Sequence, residues 1–251
     1  FLDMDGMSAL FSTMHETGHA LYEQGLSPKY YETSLGQPAS YAIHESQSRL
    51  RENLVGRSRE FSRFLFPVMQ MLFPQHLGNV TLDQFYRGIN RVEPSLIRVE
   101  ADEATYNMHI MLRFEIETGL LEGSLKASDL PEIWNSRMQE YLGVTPADDT
   151  NGVLQDVHWS SGLVGYFPTY ALGNLISAQL WEKMVAEHPE IPAAMTEGEF
   201  SLILVWLREN VHRHSSRYDP LDLVRKVTGG PIDPEPYLRY LNAKYSEIYR
   251  F

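Results

Sequence analysis

Apolar residues recur at helical spacing along nearly all of the 251 residues, and no stretch alternates convincingly with the period of two that a half-buried strand needs. This periodicity is the tightest restriction on the fold, and it predicts an all-α protein. Over 8–24 the residues Leu10, Phe11, Met14, Ala20 and Leu21 fall on a helical repeat that stops at Gly25, with Pro28 beyond. Residues 30–40 hold Gly36 and Pro38 and read as a connector. A second helix is predicted over about 42–66, ending before Pro67, and 69–79 is broken by Pro74 and Gly78. Pro94 suits the first turn of a long helix running to about 122, and Ser128 or Asp129 suits the cap of a helix carrying Ile133, Trp134, Met138 and Tyr141. Further helices are predicted over 168–187, 197–210 and 234–249. Between them, 145–165 gathers Pro146, Asp148, Asp149, Asn151, Gly152, Gly162 and Gly165, the composition of an irregular loop with room for one short strand near 151–159. Long loops inside compact domains are often functional.

Charge and composition narrow the function. Lys and Arg number 21 against 33 Asp and Glu, a net charge of −12, which removes the main electrostatic drive toward nucleic acid or anionic membrane. The longest apolar run, 202–207, is too short to span a bilayer. No cysteine is present, so disulfides, thiolate catalysis and Cys-ligated metals are excluded. That absence leans toward a cytoplasmic protein.

One motif carries chemistry by itself. His15-Glu16-Thr17-Gly18-His19 fits H-E-x-x-H inside the first predicted helix, where residues four apart share a face and both imidazoles can reach one ion. Glu16 follows the first ligand and can point at the open coordination position, where a carboxylate can take a proton from water and pass it to a leaving amine. The plain alternative is a pair of surface histidines on a solvated helix. Such sites take a third ligand from a later His in an extended motif or from a Glu on a following helix. No His stands at the extended spacing. Glu45, in His44-Glu45-Ser46-Gln47-Ser48-Arg49, is the choice if two antiparallel helices bring it back, and its competitors are His44 and Glu32.

H-E-T-G-H followed by the Glu of H-E-S-Q-S-R resembles the carboxypeptidase Taq family of zinc metallocarboxypeptidases. Three later segments resemble it too: Ile97-Arg98-Val99-Glu100-Ala101-Asp102, Gly152-Val153-Leu154-Gln155-Asp156-Val157-His158-Trp159, and Gly165-Tyr166-Phe167-Pro168-Thr169-Tyr170. The resemblance implies a multi-helical fold with a deep groove, similar to the angiotensin-converting-enzyme and neurolysin type. It implies a Zn2+ cofactor (Co2+ or Mn2+ being the alternatives), peptide substrates with a free C-terminus, broad removal of single C-terminal residues, and a cytoplasmic homodimer. Family members are longer and contribute a D-x-R-x-T motif upstream of the metal helix. Residues 1–251 therefore resemble the C-terminal catalytic portion of a member.

The same resemblance assigns the remaining roles. Arg98 becomes the anchor for the substrate carboxylate, since a guanidinium can grip it through two parallel hydrogen bonds; Arg49 is a weaker candidate. The competing reading pairs Arg98 with Glu45, Asp102 or another acid, as a purely structural contact. His158, Tyr166 and Tyr170 become donors to the oxyanion, with one tyrosine as the principal donor. Apart from the resemblance, Asp102 and Glu103 could orient a ligand imidazole or lie on a solvated helix face, while His109, and the pair His212 and His214, read as structural. The apolar face of Phe200, Ile203, Leu204 and Leu207 reads as core, or as a surface for another half or subunit. An acidic chain repels a carboxylate substrate, so binding would rest on a few placed cations. The functional alternatives are an endopeptidase or dipeptidase on the same metal core, and a zinc-holding peptide-binding or assembly module without hydrolysis.

Overall fold

The computed structural model describes residues 6–250, and among these every regular element is a helix. Two compact units emerge: of the described residues, 6–89 and 172–250 form the first, and Asn90–Ala171 the second.

In the first unit, α1 (Gly6–Gly25) packs on α2 (Tyr41–Arg49), which Ser40 caps by accepting from the Ile43 amide. The next residues, Leu50–Val55, widen into a π-helix, and a fresh helix, α3 (Arg59–Leu72), starts where the Ser58 side chain accepts from the Phe61 amide. The single helix expected over 42–66 is therefore two helices with a π segment between them. Pro67 does not end α3 but stands inside it, on the exposed face, where water can serve the carbonyl that its missing N–H leaves unpaired. A short α4 (Pro74–Leu77) follows. The next helix, α5 (Leu82–Ile89), is absent from the periodicity reading although its signal is local: Thr81 and Gln84 form a reciprocal capping box.

The second unit holds α6 (Tyr106–Leu121) and α7 (Leu130–Leu142). The long helix expected from Pro94 is not formed. Residues Arg98–Glu100 make one 3-10 turn instead, because the Asp102 carboxylate accepts from the amides of Glu93, Ala104 and Thr105 and from the Thr105 hydroxyl, curling the chain before α6. Neither Ser128 nor Asp129 caps α7 with its side chain. The 145–165 segment is irregular, without the short strand.

The division between the units falls within α8 (Pro168–Glu187), and the first unit is completed by α9 (Ile191–Thr196), α10 (Ser201–Asn210), α11 (Pro220–Thr228) and α12 (Glu235–Tyr249). Of these, α9 and α11 are not predicted by the apolar period. Yet α11 carries its own punctuation, with the Asp219 side chain capping, Pro220 at the first position and Gly229 in the left-handed region at φ 88°. The core of the first unit joins Tyr22, Ile43, Leu50, Ile176, Trp206 and Leu207, and it absorbs the apolar face of α10: Ile203 is buried and Phe200 packs against it. A separate cluster of Leu112, Ile116, Trp134, Met138 and Leu142 fills the second unit between α6 and α7. No helix among the described residues is long and apolar enough to cross a membrane.

Candidate metal centre

His15 and His19 lie one turn apart on α1, and their Nε2 atoms approach to 3.2 Å. Glu45 comes from α2, where its Oε2 stands 3.8 Å from His15 Nε2 and 3.6 Å from His19 Nε2. The ligand atoms of these three residues lie within 4.8 Å of one another, and they form the one such group of three among the described residues.

Two glycines let the helices close on this point. A Cβ on Gly18, between the two histidines, would sit 2.4 Å from the Gln47 carbonyl oxygen and 2.5 Å from Ser48 Cα. Its absence allows the backbones of α1 and α2 to touch. Behind Glu45, Gly173 of α8 does the same: a Cβ there would lie 2.6 Å from Glu45 Cγ. Glu45 is thus pinned between two helices and is buried.

Hydrogen bonds set the outward sides of all three residues. Arg49 Nε donates to Glu45 Oε1 at 2.7 Å, leaving Oε2 to face the imidazoles. His15 Nδ1 pairs with Glu52 Oε2 at 2.9 Å. His19 Nδ1 meets His44 Nδ1 at 2.6 Å, and His44 Nε2 in turn meets Glu23 Oε1 at 2.9 Å. Burial opposes ionisation of Glu52, but Arg49, the hydrogen bond from His15 and Arg57 outweigh it and hold the carboxyl down at about 2. Burial lowers His19 to about 4, helped by the charges of His15 and His44, so its ring is neutral near pH 7. Two imidazoles with their Nδ1 atoms hydrogen-bonded from behind and one buried carboxylate oxygen are the donor set of a His2Glu zinc site, and they fit a divalent transition-metal ion.

Of the competitors to Glu45, His44 is turned to the back of His19, and Glu32 is an exposed connector residue outside the cluster. Arg49 is committed to Glu45 and Glu52. Glu16 is exposed and carries no hydrogen bond or ion pair among the described residues. The expectation that Asp102 orients a ligand is corrected: its carboxylate is occupied by the turn before α6. Glu52 stands behind His15 instead, and His44, backed by Glu23, stands behind His19. Glu52 had a readable signal, lying seven residues, or two helical turns, beyond Glu45.

The second unit gathers the other predicted residues. Arg98 stands in the 3-10 turn rather than in the first turn of a long helix, and it is buried, with its Nε and one terminal nitrogen donating to Asp156 Oδ1 at 2.9 and 2.8 Å and the other terminal nitrogen to the Tyr106 hydroxyl. Three of the guanidinium's five N–H groups are thereby used. Arg113 approaches Asp156 from the other side, at 2.6 Å. Burial would raise Asp156, but Arg113 and Arg98 together hold its carboxyl below the ordinary aspartate value. Gln155 accepts from the Arg98 amide and from Arg113, so adjacent residues of the G-x-x-Q-D-x-H-W segment clamp both arginines. His158 Nε2 meets the Tyr170 hydroxyl at 3.0 Å, and the Tyr166 ring lies tilted against His158 and edge-on to Tyr170, with centroids 5.4 Å from each. Burial, then the charge of Arg98, lowers His158, which favours the neutral ring. Glu117 ties down the irregular loop, accepting from Trp159 Nε1 and the Gly165 amide. Asp156, Arg113 and Glu117 had no predicted role.

Two histidines one helical turn apart, joined by a glutamate from the next helix in an all-helical chain, match the ligand pattern of the H-E-x-x-H plus Glu class of metallopeptidases. The comparisons narrow the class. The family model for the carboxypeptidase Taq (M32) metallopeptidases matches residues 1–245, and the chain belongs to that family, which implies a metal cofactor. It is 49% identical over 242 residues to thermostable carboxypeptidase 1 of Thermus thermophilus, covering 96% of this chain and 47% of that protein. Carboxypeptidase 1 of Bacillus subtilis is 44% identical over 247 residues, covering 98% of this chain and 49% of that protein. The crystal structure of the M32 carboxypeptidase from Deinococcus radiodurans R1 superposes with a TM-score of 0.97 at 44% identity, over 100% of this chain and 51% of that one. The chain spans about half the length of the curated relatives it matches.

Proposed function

We propose that this chain carries the catalytic centre of a zinc-dependent metallocarboxypeptidase that releases single residues from peptides with a free C-terminus. The observation behind this reading is the convergence of His15 Nε2, His19 Nε2 and Glu45 Oε2, each held from behind by a hydrogen-bonded partner. When bound there, a zinc ion supplies Lewis acidity that brings the pKa of water to about 7. Glu16 takes a proton from the water that attacks the last peptide carbonyl and delivers it to the departing amine nitrogen as the C–N bond breaks. Its exposed position, free of ion pairs, suits a group that must exchange protons.

The other roles rest on the family motifs and on local chemistry in the second unit. Arg98 retains two N–H groups for a terminal carboxylate beyond those held by Asp156 and Tyr106. The neutral His158 and a phenol, Tyr166 or Tyr170, donate to the developing oxyanion, each worth about 3 kcal/mol. Zinc as the resident ion, broad specificity, a homodimer and a cytoplasmic setting follow the same resemblance.

The test has two arms. Metal analysis of the purified chain should give about one divalent ion per chain, and none for His15→Ala. Glu16→Gln should keep the ion and lose hydrolysis, whereas retained hydrolysis overturns the general-base role. Amidating the substrate's C-terminus should abolish turnover; an endopeptidase would be indifferent to it.

A second reading is a zinc-holding module that binds peptides without cleaving them. Turnover by the 251-residue chain itself decides between the two.

A further inference from the structure

The back of His19 is held differently from the back of His15, and the difference fixes a direction for every proton in the chain. Glu23 lies four residues beyond His19 on α1, so both side chains project from one face. His44 opens α2 just after its cap, immediately before Glu45. The helix packing that delivers Glu45 to the front of the two imidazoles therefore delivers His44 to the rear of one of them.

At 2.6 Å, His19 Nδ1 and His44 Nδ1 can share only one proton. If it sat on His44, His19 would carry its own proton on Nε2, facing Glu45 and closed to a cation. If it sits on His19 Nδ1, the Nε2 lone pair is free to ligate, and His44 Nδ1 must accept. The remaining His44 proton then lies on Nε2, 2.9 Å from Glu23 Oε1, which as a carboxylate can only accept. One polarity satisfies all three groups. Tyr22, fully buried, lies edge-on to the His44 ring with centroids 5.2 Å apart, and its hydroxyl is held by the Ala39 amide, so the ring has a wall against it.

We propose that His44 and Glu23 are positioning residues that hold His19 in the tautomer and orientation competent for metal binding, through a His19–His44–Glu23 hydrogen-bond chain. This rests on the reading of His15, His19 and Glu45 as metal ligands. Glu52 serves His15 directly, and His19 is served at one remove through an imidazole.

The experiment measures Zn2+ affinity of the full chain by competition with a chelator, with apo-protein melting temperature recorded for each variant. His44→Phe keeps a ring of similar size without an acceptor and should weaken zinc about 10- to 100-fold. His44→Asn returns an acceptor near the Nδ1 position and should recover most of that loss. Glu23→Gln should fall between wild type and His44→Phe. In the zinc-loaded protein, the His19 Nδ1 proton should appear by NMR as a slowly exchanging imidazole signal and vanish in His44→Phe. An unchanged affinity in His44→Phe, in a wild type that binds zinc, overturns the proposal. Equal losses in His44→Phe and His44→Asn also overturn it, since acceptance would then not be the property that matters. A wild type that binds no zinc, like the His15→Ala control, sinks the ligand assignment instead.

Discussion

The alpha carbon of Gly18 faces the carbonyl of Gln47 so closely that a single added methyl group would lie 2.4 Å from its oxygen. This contact sets the separation of the helix that carries both histidines from the helix that carries the glutamate. The variable position just before the second histidine of H-E-x-x-H is thus a packing position here.

Gly18→Ala should force α1 and α2 apart, because the obstructing atoms are backbone and cannot rotate away. Overpacking of this kind costs about 1–3 kcal/mol, and metal affinity should fall with it, since Glu45 retreats from the imidazoles. Denaturant unfolding and zinc titration measure the two effects. Wild-type affinity in the alanine variant would refute the close approach.

Gly173→Ala addresses the same ligand from the opposite side. Its methyl group would meet Glu45 Cγ at 2.6 Å, Cβ at 2.8 Å and the backbone carbonyl carbon at 3.1 Å, so the Glu45 side chain and its backbone must both shift. The expected outcome is a loss of metal affinity together with a loss of stability. A loss confined to stability would argue that Glu45 is not a ligand.

Asp156 lies between two buried guanidiniums, so removing its charge leaves Arg98 and Arg113 without a counter-ion. Asp156→Asn should cost about 3–5 kcal/mol, read by urea unfolding. The pH dependence has a defined sign. Because the folded-state pKa is depressed, the contribution is present above the ordinary aspartate value of 3.8 and is lost as pH falls through the lower folded value. The variant should lose that acid limb.

His212 gives a second pH signature, in a different window. Burial, then the charges of Arg51 and Arg208, lowers it to about 3, and its Nε2 meets Gln47 Oε1 at 2.9 Å. The unfolded chain takes up a proton near 6.5 and the folded chain does not, so stability should decline as pH falls from 6.5 toward 3, by up to about 1.4 kcal/mol per pH unit for this one group. His212→Gln, which keeps a donor for Gln47, should flatten the decline by that group's share. An unaltered slope would show that His212 titrates normally.

Much of the helical order and most of the metal donor set were legible in the residues. The class of the fold followed from the period of the apolar positions, and the pairing of His15 with His19 followed from a spacing of four on a helix. Errors clustered where a local side chain overrides periodicity. Ser58 restarts a helix that the apolar pattern reads as continuous, and Asp102 bends a segment that Pro94 seemed to open.

The sequence by itself determined that two imidazoles share one helix face, because a spacing of four residues is local to about one turn. Only the tertiary structure decided what stands behind them. Glu52 and His44 reach the imidazoles across 37 and 25 residues, and Glu23 reaches His44 across 21, contacts fixed by how α1 lies on α2. Likewise Arg98 and Asp156 meet across 58 residues, and that pairing turned a helix-borne arginine into a buried one with two N–H groups to spare. Helical period is a property of neighbours in the chain; the partner of a charge is a property of packing.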